Sequence, residues 1–207
     1  MARGIAFWNV LAKRYSRQKI ADPAAYERKL DSTRRHLFAQ ADVLEFGCGT
    51  GSTALLHAPH VRSIRAIDYS GRMIAIARAK AAEQGIGNVS FEVAELGWPD
   101  EPDNSYDVVL GLNILHLLPD WETAVGKVFA LLRPGGVFVS TTACLEGTMR
   151  PMRPVFFVAG ALGLLPRVMF ISEDRLVDTI TGAGFELAER WSHANGRAVF
   201  LVARKPA

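Results

Sequence analysis

From residue 41 onward the chain alternates short apolar runs with longer stretches in which apolar residues recur at helical spacing. The apolar runs are rich in Val, Ile and Phe without strict polar alternation, which is typical of strands covered on both faces. They predict seven strands, at residues 42–46, 63–67, 89–93, 106–111, 136–141, 185–191 and 198–203. The stretches between them predict helices at residues 52–57, 72–84, 121–132 and 173–183. This order predicts an α/β fold with five βα units around a parallel sheet, followed by two terminal strands.

Residues that cap or break helices stand at the ends of these stretches. Ser70 is expected to cap the helix at 72–84, and Gly85 is expected to end it. Pro134-Gly135-Gly136 is expected to stop the next helix, and Ser172, followed by two acidic residues, to start the last one. The helix boundaries therefore agree with the periodicity.

Two segments lie outside this alternation. The first 40 residues predict a helix at 24–39, and residues 143–171 are inserted between the fifth strand and the last helix. Because ligands of open α/β sheets bind beyond the carboxyl ends of the strands, we expect residues 1–40 to form a helical cap and residues 143–171 a substrate lid. No repeat or linker divides the chain, so residues 1–207 are expected to form a single domain.

The first predicted strand runs into glycines at alternate positions, Gly47, Gly49 and Gly51. Glycine suits a tight turn in which the backbone approaches a ligand without an intervening Cβ. In a dinucleotide-binding fingerprint the third glycine comes one residue later, and the helix after it receives a pyrophosphate. Here Glu45 precedes the loop; it would repel a pyrophosphate and attract a cation such as the amino group or sulfonium of S-adenosylmethionine. A simple strand-to-helix turn remains the alternative.

Asp68 ends the second predicted strand, about 20 residues after the glycines, where an acidic residue can accept hydrogen bonds from ribose hydroxyls. Its alternative role is to cap the helix that follows. Ser70 already occupies the usual capping position, which favours the ribose-binding interpretation.

Four segments in this order resemble the class I S-adenosylmethionine-dependent methyltransferases, particularly the subgroup that includes the ubiquinone and menaquinone biosynthesis methyltransferases. They are VLEFGCGTG at 43–51, AIDYSGRM at 66–73, VAELGWPDEPDNSYDVVLGLNILHLL at 93–118 and LLRPGGVFVST at 131–141. The resemblance covers nearly the whole chain. It implies a Rossmann-like, seven-stranded, mostly parallel sheet with an antiparallel last strand and helices on both faces. It also implies S-adenosylmethionine as cofactor and S-adenosylhomocysteine as product.

The resemblance also implies which residues face the methionine part of the cofactor. The backbone of Gly47, Cys48 and Gly49 would lie against it, with Glu45 behind them. Asn113, at the end of the fourth strand, stands where the family places a residue close to the same moiety.

For the nucleoside part, the resemblance implies that Asp68 holds the ribose and that Tyr69 and Met73 flank the adenosine. Glu95 falls near the position that recognises the adenine. The family commonly has an Asp-Ala pair there, whereas this chain has Ala94-Glu95. The adenine contact is therefore the point at which the chain departs from the family pattern.

The N-terminal segment FWNVLAKRY resembles the family pattern W-x-x-x-A-x-x-Y through Trp8 and Tyr15. In the family this tyrosine closes over the donor. Periodicity alone is equally compatible with an amphipathic helix that docks its aromatic residues in the core.

Methyl transfer from a sulfonium needs alignment and exclusion of water more than a catalytic triad, since the donor carries its own activation. If the acceptor needs a base, His116 is the best-placed candidate, just beyond the fourth strand. The alternative is that His116 satisfies a backbone group. None of the histidines has a metal-ligand spacing, so no metal site is expected.

The amino-acid composition bears on which partners the protein binds and on where in the cell it is located. The net charge of +3 comes from scattered Lys and Arg residues, which are typical of solvated helix faces and predict no nucleic-acid partner. Cys48 and Cys144 form no disulfide or metal pattern, which favours a reducing compartment. No signal peptide is recognisable, and the apolar stretch at 155–170 is shorter than the roughly 20 residues of a membrane-spanning helix. We therefore expect a cytoplasmic protein.

The insertion at 143–171 is itself strongly apolar, which suggests a small, apolar or amphiphilic acceptor such as a quinone precursor, a lipid head group or an aromatic metabolite. Arg150, Arg153 and Arg167 border it and predict peripheral contact with an anionic membrane. The alternative is that the insertion packs on the sheet as ordinary core.

Two other functions remain open at this point. One is an NAD(P)-dependent oxidoreductase, against which the early third glycine, Glu45 and the LLRPGG turn argue. The other is a non-catalytic scaffold or regulator that binds S-adenosylmethionine, which would carry the same cofactor motifs.

Overall fold

The computed structural model describes residues 2–96, 102–147, 149–192 and 198–207. These residues form one seven-stranded sheet with helices packed against it. The strands are β1 Asp42–Phe46, β2 Ser63–Asp68, β3 Val89–Val93, β4 Tyr106–Leu112, β5 Leu132–Ala143, β6 Glu186–Ser192 and β7 Ala198–Arg204. The helices are α1 Ala2–Ser16, α2 Pro23–Arg34, α3 Ser52–His57, α4 Gly71–Glu83, α5 Trp121–Leu131, α6 Arg153–Ala161 and α7 Glu173–Gly182.

The strand order is β3-β2-β1-β4-β5-β7-β6, and the contacts among the first five strands are all parallel. Strand β7 runs antiparallel between β5 and β6. The predicted Rossmann-like sheet with an antiparallel last strand is therefore confirmed. The order reverses at β1, because β2 lies on one side of it and β4 on the other, and ligands bind at such a switch point.

Four of the five predicted βα units have a helix, and the crossover between β3 and β4 stays a prediction. The described residues between β3 and β4 contain no helix, and residues 97–101 of the quoted 93–118 segment lie outside the described ranges. Pro102 and Asp103 stand four and three residues before the start of β4 and favour a turn there.

The predicted capping residues act as expected at two helices. The Ser70 hydroxyl accepts a hydrogen bond from the Met73 amide, and the Ser172 hydroxyl accepts one from the Arg175 amide. Gly85 follows α4 with a φ of +65°. The ends of these helices are thus fixed by local chemistry that the sequence displays.

Two predicted helix boundaries need correction. Helix α2 ends at Arg34, before the predicted residue 39, because the chain tightens into successive i to i+3 hydrogen bonds that end at Leu37. Helix α5 passes directly into β5 at Leu132. Residues 133–136 then form an irregularity, since the register jumps from the Tyr106–Leu132 pair to the Val108–Val137 pair.

Alternation along the strands builds two cores, one on each face of the sheet. Leu44, Val109 and Phe138 contribute to one core, whereas Val43 and Leu110 contribute to the other. Helices cover both faces of the sheet. Ligands of such sheets bind beyond the carboxyl ends of the strands, which here are the ends of β1, β2 and β4. No helix in the described part of the chain is long and apolar enough to cross a membrane.

Candidate cofactor and acceptor site

The glycine loop after β1 is shaped by packing as well as by its turn. Gly47, Gly49 and Gly51 have φ angles of +66°, +55° and +74°. A Cβ on Gly47 would lie 2.6 Å from the Ile114 Cγ1 atom, and one on Gly51 would lie 2.6 Å from the Phe91 ring. At Gly49 the nearest atom to such a Cβ would be Cε1 of Tyr15, at 3.7 Å. Two of the glycines therefore allow close packing, whereas Gly49 faces the space beneath Tyr15.

Asp68 ties the glycine loop to the end of β2. Its two carboxylate oxygens accept hydrogen bonds from the Gly49 amide at 2.9 Å and from the Ser70 amide at 2.8 Å. Burial raises the pKa of Asp68, and the two amide hydrogen bonds counteract part of this effect. Ser70 caps α4, so the alternative capping role for Asp68 does not apply. Each oxygen keeps acceptor capacity for a ligand hydroxyl.

Glu45 is the least satisfied polar group near this loop. It is 3% exposed, and its Oε2 atom has no hydrogen-bond partner among the described residues. Burial, followed by the charge of Asp68, raises the pKa of Glu45 to about 8. A cation bound beside it would favour the ionised carboxylate, so an orphaned oxygen behind the glycine loop fits a ligand with an amino group and a sulfonium.

Helix α1 places an aromatic side chain over the loop. Tyr15 is 43% exposed, and Trp8 meets its ring edge-on at a centroid distance of 6.0 Å. Partial burial, followed by the charges of Asp68 and Glu45, raises the pKa of the Tyr15 phenol. Tyr15 therefore lies near both carboxyl groups and over Gly49 instead of being sequestered in the core. That it covers the donor stays a prediction.

The position of α1 depends on a residue that the sequence did not single out. The Asn9 side-chain oxygen accepts hydrogen bonds from the Ser70 hydroxyl at 2.7 Å and from the Arg72 amide at 3.2 Å. Asn9 thereby fastens α1 to the start of α4. An asparagine one residue after Trp8 in a predicted amphipathic helix is a weak signal, since its partner is more than 60 residues away.

The predicted adenosine residues follow β2 and β3. Tyr69 is half-buried, and burial, then Asp68, then Glu95 raise the pKa of its phenol to about 12. Glu95 is exposed and acts on Tyr69 through its charge, which indicates that the two side chains lie near one another. Met73 is only 2% exposed, so little of its surface is available to a ligand. The Cys48 residue is 8% exposed, and its backbone amide donates a hydrogen bond to the Ile67 carbonyl, which fixes the loop to β2.

Asn113 lies at the carboxyl end of β4, with its side chain exposed and a φ of +58°. Its amide donates to the Thr141 carbonyl at 2.8 Å, which fixes the strained residue to β5. Beside it, a cavity of about 50 Å³ lies between α2, α3 and the ends of β4 and β5. No sequence pattern predicts this cavity, because its polar residues lie on elements far apart along the chain.

His116 is held by the inserted segment and the adjoining strand. Its Nδ1 atom accepts a hydrogen bond from the Ala143 amide at 3.3 Å, and its carbonyl accepts one from Met169 at 2.7 Å. Burial lowers its pKa to about 4, so the ring is neutral at pH 7. With Nδ1 as acceptor, the proton resides on Nε2, which makes that atom a donor. This geometry supports the anchoring role; the base role stays a prediction.

Comparison with known proteins agrees with this geometry. A methyltransferase domain model matches residues 43–136. A probable S-adenosylmethionine-dependent methyltransferase of Mycolicibacterium smegmatis is 34% identical over 155 residues, which cover 74% of this chain and 55% of the relative. A phosphatidylethanolamine N-methyltransferase of Cereibacter sphaeroides is 30% identical over 182 residues, 84% of this chain and 85% of the relative.

Among solved structures, a putative S-adenosylmethionine-dependent methyltransferase from Listeria monocytogenes has the same fold, with a TM-score of 0.74 and 19% identity. The alignment covers 88% of this chain and all of that one, at 100%. The chain spans about half the length of the first curated relatives it matches. The domain match and the nearly full-length relative establish the family: the chain belongs to the class I S-adenosylmethionine-dependent methyltransferases, whose cofactor is S-adenosylmethionine.

Proposed function

We propose that this protein transfers a methyl group from S-adenosylmethionine to an amphiphilic acceptor at a lipid surface, with the amine of phosphatidylethanolamine as the first candidate. The observation that carries the proposal is the exposed apolar surface of the insertion. In addition, the relative from Cereibacter sphaeroides that matches most of both chains is named for this reaction.

We call this exposed apolar surface the lid surface. Phe157 is 78% exposed, and Leu162 and Leu164 are 69% and 68% exposed. The other members, all at least 37% exposed, are Met152, Val155, Val158 and Leu165. Side chains of this size are normally buried, and an exposed cluster of them indicates a binding surface. The alternative that the whole insertion packs as core is inconsistent with this exposure.

Positive charge borders the lid surface. Arg150, Arg153 and Arg167 are exposed at or next to its ends. Glu146 offsets two of them in part, at 3.9 Å from Arg150 and 4.0 Å from Arg153. Each free basic residue near an anionic membrane contributes about 1 kcal/mol, and each apolar side chain that becomes fully buried contributes about 1.5–3 kcal/mol. Burial of apolar side chains in the membrane should therefore contribute most of the binding free energy, and the arginine charges should contribute a smaller part.

The site residues suggest how the chain promotes transfer. S-adenosylmethionine, when bound, would supply an activated methyl group to the unprotonated amine of the acceptor, and the proton of the resulting ammonium would pass to solvent. Glu45 offers a carboxylate to the cationic end of the cofactor, and Asp68 offers acceptors to the ribose. Tyr15 covers the loop and excludes water. The insertion, fixed through His116, borders the acceptor side.

Vesicle binding tests the lid surface. Full-length protein should co-sediment with vesicles of phosphatidylcholine and phosphatidylglycerol, and Phe157→Ser should weaken this binding by about tenfold, the equivalent of about 1.4 kcal/mol. Phe38→Ser is the matched control, because Phe38 is 49% exposed and lies outside the insertion. Equal binding by the wild type and Phe157→Ser would contradict the lipid-surface proposal.

Methyl incorporation tests the reaction. With labelled S-adenosylmethionine, we expect label in phosphatidylethanolamine presented in vesicles, and loss of at least tenfold in both cofactor affinity and turnover for Asp68→Ala. Calorimetry with S-adenosylmethionine, S-adenosylhomocysteine and NADH separates cofactor binding from acceptor choice. Transfer to water-soluble phenols but not to vesicle lipid would overturn the acceptor; binding of NADH alone would overturn the cofactor assignment.

A further inference from the structure

The cavity beside Asn113 contains buried polar groups without partners. His57 is fully buried, and neither of its ring nitrogens has a hydrogen-bond partner among the described residues. The hydroxyl of Thr141 is also buried and unpartnered, and both residues line the cavity. A buried polar group left unpaired costs about 1–3 kcal/mol, so native proteins nearly always provide it with a ligand, a water or a protein partner.

The remaining lining residues make the cavity electropositive and rich in donors. Lys29 projects from α2 and is half-buried, and none of the lining residues is acidic. Asp22 acts on the Lys29 ammonium through its charge, but the Asp22 side chain is engaged in capping α2. The Tyr26 and Thr53 hydroxyls, 3.4 Å apart, complete the set of groups that can donate. One cation and several hydroxyls suit an oxyanion.

The size of the cavity limits what it can hold. A volume of about 50 Å³ accommodates a few water-sized groups, since a single water needs at least roughly 10–15 Å³ by this kind of measure. An adenosine or an aromatic ring is too large, whereas a compact oxyanion is of suitable size. The cavity is therefore a place for one polar group of a larger ligand.

Its position connects it to the acceptor. Leu112, Asn113 and Thr141 line it from the carboxyl ends of β4 and β5, and Asn113 is the residue expected beside the methionine part of the cofactor. If the phosphate of phosphatidylethanolamine were held here, its short ethanolamine arm would lie next to the expected methyl donor. We propose that this cavity, built around Lys29, His57 and Thr141, is the subsite for the phosphate of the acceptor; the inference rests on the proposed function for the identity of that acceptor.

Binding of soluble phosphates tests the subsite without turnover. Inorganic phosphate and phosphoethanolamine are titrated into the full chain saturated with S-adenosylhomocysteine, while the His57 ring signals are followed by NMR. Both probes should shift these signals, and Lys29→Met should weaken binding at least tenfold. Thr141→Val should weaken it several-fold, because only the hydroxyl is lost. No response of His57 in the wild type would show that water alone fills the cavity and would overturn the proposal.

Lys19→Met is the matched control, since Lys19 is exposed in the segment between α1 and α2. S-adenosylmethionine affinity should be unchanged in Lys29→Met; an equal loss of cofactor affinity would assign the cavity to the donor and overturn the proposal. For vesicle lipid, Lys29→Met should raise KM more than it lowers kcat. Lost phosphate binding with an unchanged lipid KM would mean that free phosphate, not the head group, is the ligand. Phosphate binding without any lipid methylation would contradict the proposed function and leave the oxyanion site standing.

Discussion

At the scale of single residues, Glu45 shows how a binding site is kept at the expense of stability. The carboxyl group is buried, lacks a partner for Oε2 in the described structure and has a pKa of about 8. Its ordinary pKa is 4.5, so the folded state holds a proton that the unfolded state releases between these two values. Stability from this group is therefore full below pH 4.5 and is lost as the pH rises towards 8.

Glu45→Gln should remove this pH dependence. Each pH unit within the window costs the wild type about 1.4 kcal/mol of unfolding free energy through Glu45. His57 and His116 work in the opposite direction at lower pH, since burial lowers each pKa to about 4, so the informative quantity is the difference between variant and wild type. We expect urea midpoints from pH 5 to pH 8 to show the variant gaining relative stability with rising pH.

The exposed Glu83 on α4 provides a control, and Glu83→Gln should leave the wild-type dependence of stability on pH unchanged.

Comparison of the wild type with Glu45→Gln also tests whether the ligand beside Glu45 is a cation. Binding of S-adenosylmethionine to the wild type near pH 7 should release protons, seen as a dependence of the calorimetric enthalpy on the buffer, whereas Glu45→Gln should bind more weakly and release fewer. If the stability of Glu45→Gln changed with pH between pH 5 and pH 8 as steeply as that of the wild type, this account of Glu45 would be contradicted.

At the scale of elements, α1 has a functional position because of a few polar contacts with α4. The Asn9 side-chain oxygen accepts hydrogen bonds from the Ser70 hydroxyl and the Arg72 amide, six residues before Tyr15 on the same helix. Because helix α1 lies outside the sheet, its position is determined by such contacts with α4, not by strand pairing.

Asn9→Ala should therefore loosen α1 and lower cofactor affinity about tenfold, while the fold remains intact. The reason is that Tyr15 loses its fixed position over the glycine loop although no group in direct contact with the cofactor is changed. Val10→Ala is the matched control, because Val10 is on the same helix and is 75% exposed. Calorimetry measures the change in cofactor affinity, and thermal melting shows whether the fold is intact. Unchanged affinity in Asn9→Ala would show that the Asn9 contacts do not position Tyr15.

At the scale of the whole molecule, stabilising charges and the site occupy opposite edges of the sheet. Asp42 begins β1 and pairs with Arg62, and Arg133 contacts Asp42 at 3.2 Å and Asp107 at 2.5 Å. The hydrogen bond from Arg62, reinforced by Ser63 and Arg133 against a smaller effect of burial, lowers the pKa of Asp42 to about 2. This cluster joins the amino ends of strands, far from the glycine loop at their carboxyl ends.

Asp42→Asn should lower the thermal midpoint at pH 5–7 without changing cofactor affinity. A carboxylate with a folded pKa below its ordinary value of 3.8 contributes stability above that value and loses it as the pH falls towards 2. The difference between Asp42→Asn and the wild type should thus shrink as the pH drops from 4 to 2. Asp178→Asn, at an exposed position on α7, should show no such convergence. A difference that persists at pH 2 would argue for a packing defect instead.

Features that depend on local chemistry can be predicted from the sequence of this protein. Most of the strands follow from short apolar runs rich in Val, Ile and Phe, and the starts of α4 and α7 follow from Ser70 and Ser172. The glycine loop, Asp68 and the family motifs were sufficient to predict the cofactor. Each of these signals lies within a few residues of the feature that it specifies, which is why a sequence alone can display it.

Features that depend on contacts between distant segments are visible only in the folded molecule. Strand β7 lies between β5 and β6 because pairing across the sheet places it there, and periodicity carries no information on strand order. The anchor at Asn9, the tautomer of His116 and the cavity shared by Lys29, His57 and Thr141 likewise arise from residues far apart in the chain. Such contacts form only when the elements have packed, because burial and hydrogen-bond partners are properties of the folded arrangement.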